Sequence, residues 1–229
     1  MNLYMIVEGD KTELQVYPEW LKLLSPHIHR VSTPQEAAND NYYLFSGGGI
    51  PSIYHHIANA AEDIVALEDK GIHYDYLMVC MDSEGQSVND IEERVYSVLE
   101  ERGIEIKDTE LVICVHKVCM ETWFLGNRSV FKNNPQDPKL LSYVNFYNVG
   151  ALNPEEMTTI DDELTYAQFH YKYLKLMFQE RHMLYSKNNV TEVVKESYLA
   201  QLIRRVEETG DLRTFKKWYD FVQKYINKQ

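Results

Sequence analysis

At 229 residues and 45% hydrophobic content, the chain is long enough for one substantial core-bearing domain, or for a domain with a helical annex. A formal charge of −12 argues against a simple nucleic-acid-coating protein. No apolar run approaches the ~20 residues of a membrane helix and the N-terminus has no signal-peptide pattern, so a soluble cytoplasmic protein is expected.

In chain order, the first apolar run, Leu3-Tyr4-Met5-Ile6-Val7, leads directly into Glu8-Gly9-Asp10-Lys11-Thr12-Glu13. Short apolar runs bounded by breakers predict strands at 3–8, 42–46, 74–82 and 111–116. Helical patterns lie between them at 11–24, 53–69 and 88–102, and Gly71 and Gly103 follow helices as stop signals. Strands alternating with helices of this length predict an α/β fold with a mostly parallel sheet flanked by helices. Residues 127–160 are rich in Asn and Pro and read as a connecting segment. Helices are then expected at 162–181, 190–208 and 212–227, with Thr209-Gly210-Asp211 as a break. The expected organisation is an α/β module at 1–125 and a connecting segment with a helical C-terminal extension at 126–229.

In a parallel sheet, ligands sit outside the carboxyl ends of the strands. Glu8 closes the first apolar run, and Asp82-Ser83-Glu84 follows a later one in the same way. Hard carboxylate oxygens suit Mg²⁺ or Mn²⁺ and leave positions for phosphate oxygens and water. Such a site polarises a phosphodiester and generates hydroxide, with one metal or two. Glu13, one turn into the first helix, is a candidate ligand of a second metal. The alternative is that all four are exposed acids near strand ends.

Val7-Glu8-Gly9-Asp10-Lys11-Thr12-Glu13 resembles the first motif of TOPRIM-domain proteins, especially the nuclease branch with OLD-type and RloB-like phage-defence proteins. In that family a glutamate ends the first strand and Asp-x-Asp ends the third. Here Val79-Cys80-Met81-Asp82-Ser83-Glu84 stands at the second place, with a longer glutamate arm as its last acid. Glu121-Thr122-Trp123 is similar to the Glu-x-Trp block after the fourth strand of the RloB-like group. Tyr185-Ser186-Lys187 and Arg213-Thr214-Phe215 resemble parts of its helical C-terminal region more weakly.

The resemblance implies a TOPRIM-like sheet and a metal-dependent endonuclease acting on DNA or RNA, tRNA included, as an anti-phage defence effector. It assigns Glu8 as metal ligand and general base, and Asp82 and Glu84 as metal ligands. Lys187 would stabilise charge on the phosphate, against a plain surface lysine as the alternative. Glu121 is either catalytic or a structural residue of the segment around Trp123. An ABC-type ATPase is implied as a separate partner, and a second copy of the chain is a further candidate. The alternative function is a non-catalytic TOPRIM-fold binding or regulatory subunit.

Other signals are weaker. Residues 170–229 hold 12 Lys and Arg against 7 Asp and Glu, a local +5, while the remainder carries −17. A metal centre beside a polyanion-binding surface and plain solvated helix faces both fit this asymmetry. Arg204-Arg205 and Lys216-Lys217, near Trp218 and Tyr219, are candidates for a nucleic-acid backbone and bases, with core packing of the aromatics as the alternative. Ser46-Gly47-Gly48-Gly49 reads as a tight turn or as a phosphate-facing turn. Walker GxxxxGK[ST], GxSxG and HExxH are absent. Cys80, Cys114 and Cys119 show no CxxC spacing and read as buried free thiols.

Overall fold

The computed structural model describes residues 1–227; positions 228 and 229 of the expected C-terminal extension lie outside the described residues. Five strands form one all-parallel sheet: β1 (Asn2–Val7), β2 (His29–Arg30), β3 (Asn41–Ser46), β4 (Tyr76–Asp82) and β5 (Glu110–His116). Their order is β2-β3-β1-β4-β5, and β1 pairs in register with both neighbours, Val7 opposite Ser46 and Cys80. All six β1 residues are buried, which explains why the run reads as continuously apolar rather than alternating.

The expected α/β class and the flanking helices are therefore present. Helices α1 (Thr12–Leu24), α2 (Ser52–Glu68) and α3 (Val88–Arg102) join the strands. The two-residue β2 was not legible as a strand, being exposed and too short to carry a period. Chain-order helices α4 (Met120–Phe124), α5 (Pro138–Phe146), α6 (Tyr166–Glu180), α7 (Glu196–Thr209) and α8 (Arg213–Phe221) follow the sheet. A π-helical turn, Val222–Ile226, continues from α8.

The chain gathers into two compact units that do not follow each other in simple succession. The first comprises Met1–Met81, Ser87–Val115 and the segment from Phe221 onward, and the second comprises Asp82–Gln86 and His116–Asp220.

In the first unit, alternation divides the strand side chains between two faces. Tyr4, Ile6, Leu77, Val79, Met81, Ile113 and Val115 share one core with Ile53, Ile57 and Ile64 of α2 and Ile91 and Val95 of α3. Cys80 points the other way and meets the buried Tyr17 of α1. Ser87 caps α3 by accepting from Asp90 N–H at 3.0 Å, and Gly103 closes it at φ +62°, a left-handed conformation that glycine adopts without strain.

The second unit is built on aromatic packing and buried polar braces. Trp123 packs against Phe215 and Trp218, and Tyr143 against Phe169 and Tyr173. The expected connecting segment contains α5, whose start is written locally: Asp137 accepts from Lys139 and Leu140 N–H, with Pro138 at the first helical position. The start of α6 is later than expected because Thr165 and Gln168 form a reciprocal capping box. The start of α7 also moves, from 190 to 196. Asn189 accepts from the Thr191 backbone and hydroxyl, a local bonding pattern that competes with helix.

Candidate carboxylate site

Glu8 and Glu13 stand in the first unit. Glu8 follows the last residue of β1, and its N–H still bonds Cys80 O at 3.0 Å. Its carbonyl accepts from Gly49 N–H and the Ser46 hydroxyl, tying the turn after β3 to the turn after β1. Gly47 donates to Val7 O and Gly48 to Ser46 Oγ, so this stretch forms a tight turn with its backbone donors engaged. Tyr54 senses the Glu8 carboxylate. Burial pushes its hydroxyl up, the guanidinium of Arg94 over its ring pulls it down, and the charge of Glu8 pushes it up again.

Glu13 is buried, and its Oε1 accepts from Gly9 N–H at 2.9 Å. The acid thus reaches back from the first turn of its own helix, where negative charge is favoured. A Cβ on residue 9 would collide with the Glu13 carboxylate, so any larger residue there must displace that carboxylate.

Asp82, Glu84, Glu121 and Lys187 all belong to the second unit. Asp82 is the last residue of β4 and His116 the last of β5, adjacent strands of the sheet. His116 Nδ1 lies 2.7 Å from Asp82 Oδ1, with the imidazole fully buried. With the carboxylate as acceptor, Nδ1 carries the proton. The N–H of Met120 also bonds Asp82.

Burial pushes the Asp82 carboxyl well above its usual range. The charge of Glu121 adds to this, Lys187 opposes it, and Glu84 adds a smaller push. Two further carboxylates and one ammonium, from three separate segments, thus act on Asp82 through their charges.

Local bonding explains each placement. Ser83 N–H donates to His116 O, Glu84 N–H to Val118 O, and Val118 N–H to the buried Ser83 hydroxyl at 2.9 Å. These bonds hold Glu84 at φ +46° and Val118 at φ +72°, a conformation that is strained for a β-branched side chain. Glu121 lies in the first turn of α4, is buried, and accepts from the Tyr185 hydroxyl at 2.9 Å. The Tyr185 ring is anchored among Phe124, Tyr171 and Phe178. Just beyond it, Ser186 and Asn189 exchange two backbone hydrogen bonds, which places the exposed Lys187 at the tip of a tight turn.

Among the described residues, no group of three or more His, Cys, Asp or Glu side chains stands ready to hold a metal ion. His116, Tyr185 and Ser83 were not picked out as site residues in the sequence. For His116 a signal existed, since it closes the strand-like run at 111–116.

The basic pairs separate. Trp218 is buried and Lys216 pairs with Asp220. Arg204 is exposed, whereas Arg205 is 1% exposed and bonded to Asp211 and to three backbone carbonyls. Arg205 therefore acts as an interior brace and has no surface to offer a phosphate backbone. Cys80, Cys114 and Cys119 are buried and free. No helix among the described residues is long and apolar enough to cross a membrane. No protein family, curated protein or solved structure was found to match the chain.

Proposed function

We propose that the protein is a metal-dependent phosphodiesterase acting on nucleic acid, in the manner of the TOPRIM nucleases its motifs resemble. The observation that carries this reading is Asp82 at the end of β4, bonded to His116 and acted on by the charges of Glu121, Lys187 and Glu84. Carboxylates held together repel, which is the electrostatic condition a divalent cation relieves, and their hard oxygens match Mg²⁺ or Mn²⁺.

On this reading Asp82 and Glu84 would hold the ion, and a ligand role for Glu8 follows from the resemblance alone. A bound ion would supply Lewis acidity and a more acidic water. The chain's own groups have separate tasks. His116 fixes the rotamer of Asp82 and keeps the donor proton on Nδ1. Glu121, oriented by Tyr185, adds negative potential at Asp82. Lys187 is poised to stabilise charge that develops on a phosphoryl oxygen. An ABC-type ATPase partner and a role in phage defence follow from the resemblance alone.

The test is incubation of the purified protein with plasmid DNA and total tRNA under Mg²⁺ and Mn²⁺. Cleavage that disappears in Asp82→Asn and Glu8→Gln supports the proposal. If the wild type leaves both substrates intact and neither ion alters its melting, the non-catalytic binding subunit becomes the better reading.

A further inference from the structure

Away from the carboxylates, the second unit carries a cleft of about 280 Å³ lined by Arg128, Ser129, Gln201, Arg204, Arg205 and Glu208. We propose that this cleft binds a phosphate group, with a dianionic phosphomonoester as its preferred form.

The charge count favours an anion. Arg205 is matched by Asp211, which leaves Arg128 and Arg204 facing the single carboxylate of Glu208. The guanidinium groups also act on one another. Burial pulls Arg205 below its usual range, Asp211 restores part of this, and the charge of Arg128 pulls it down again. The cleft thus holds more positive charge than its own carboxylates neutralise.

Donor geometry agrees. Arg128 spends Nε on Gly150 O at 3.0 Å, while its Nη1 stays 3.9 Å from Glu208, beyond hydrogen-bond reach. Arg204 spends Nε on Glu208 Oε1 at 2.7 Å. Among the described residues, no hydrogen bond engages the Nη groups of Arg204 or the side-chain amide of Gln201. Two planar forks and an amide therefore border one space, a pattern suited to the several oxygens of a phosphate. The volume is several times the roughly 30 Å³ share of one water, enough for a phosphate with part of a sugar.

A terminal phosphate on nucleic acid and a free phosphate ester share this chemistry. The test uses one short fluorescent oligonucleotide with a 5′-phosphate or a 5′-hydroxyl, followed by anisotropy in EDTA, with inorganic phosphate as competitor. EDTA removes any metal-dependent contact, so the outcome is independent of the nuclease proposal. The 5′-phosphorylated form should bind about tenfold more tightly than the hydroxyl form, and phosphate should displace it. Arg204→Gln, at a side chain 67% exposed whose own ion pair is solvent-facing, should erase the difference. Glu208→Gln, which removes the competing carboxylate, should widen it. Phosphate binding that is lost in Arg204→Gln without oligonucleotide discrimination would assign the cleft to small phosphate esters. Equal affinity of wild type, Arg204→Gln and Glu208→Gln for phosphate and for both oligonucleotides would overturn the proposal.

Discussion

Arg204 and Arg205 are adjacent and chemically identical, yet the structure predicts opposite consequences for their loss. Arg205→Met keeps most of the stem and removes the fork. It deletes bonds from Nε and Nη2 to Asp211 Oδ2 at 3.0 and 2.8 Å. It also strips donors from Gly126 O, Val149 O and Leu152 O, at 3.1, 2.7 and 2.7 Å. An orphaned buried acceptor costs roughly 1–3 kcal/mol, and removing one partner of a buried ion pair costs about 3–5 kcal/mol. Asp211 is 19% exposed and can recruit water, which argues for the lower half of the combined range. A net loss of about 6 kcal/mol, the bottom of the sum for one ion pair and three acceptors, corresponds to a drop in Tm of roughly 12–24 °C for a chain of this size. Arg204→Gln removes only a solvent-facing partner of Glu208 and should melt with the wild type. Differential scanning fluorimetry, with circular dichroism to confirm helix content, reads both. If Arg205→Met melts within 2 °C or so of the wild type, the brace argument is wrong. The practical consequence is that weaker nucleic-acid binding by an Arg205 variant would report unfolding rather than a lost phosphate contact.

Asp82→Asn should leave metal-free stability at pH 7 unchanged or slightly raised while abolishing any cleavage. The folded carboxyl sits above its unfolded value, so its ionisation opposes folding from about pH 3.9 upward, and the neutral amide removes that penalty while keeping an acceptor for His116; melting in EDTA at pH 4 and pH 7 checks the sign. His170 acts in the opposite sense. Burial lowers it to about 4, and its ring is held by Thr122 and Met157 O, so the unfolded chain binds the proton first and stability falls as pH drops from about 6.5 towards 4, by about 3 kcal/mol in full. Urea titrations across that interval should show this slope flattened in His170→Gln. Gly9→Ala should displace the Glu13 carboxylate from Gly9 N–H at a cost of about 1 kcal/mol, and Glu13→Gln should add little on top; fully additive losses would show that the two do not interact.

Much of the fold was legible because its determinants are local. The β1 and β4 runs announce themselves as strands since strands covered on both faces need unbroken apolar segments, and Glu8 and Asp82 are visible as the acids that close them. Asp137-Pro138 and Thr165 with Gln168 carry helix starts in their own spacing, although the Asn- and Pro-rich composition around α5 concealed the first. Even the different fates of Arg204 and Arg205 have a periodic origin. Tyr198, Leu199, Leu202, Arg205 and Val206 recur at helical spacing on the buried face of α7, and Arg204 falls outside it.

Tertiary structure decided what such periods cannot express, namely which groups from distant segments meet. Asp82 finds His116 thirty-four positions away because their strands are neighbours in the sheet, and Glu121 finds Tyr185 because two aromatic clusters pack in one unit. A period states which way a side chain faces and nothing about what awaits it there. Arg205 could be read as inward-facing from α7 alone, but the carboxylate of Asp211 and the carbonyls of Gly126, Val149 and Leu152 that make its burial tolerable converge on it only when the chain is folded.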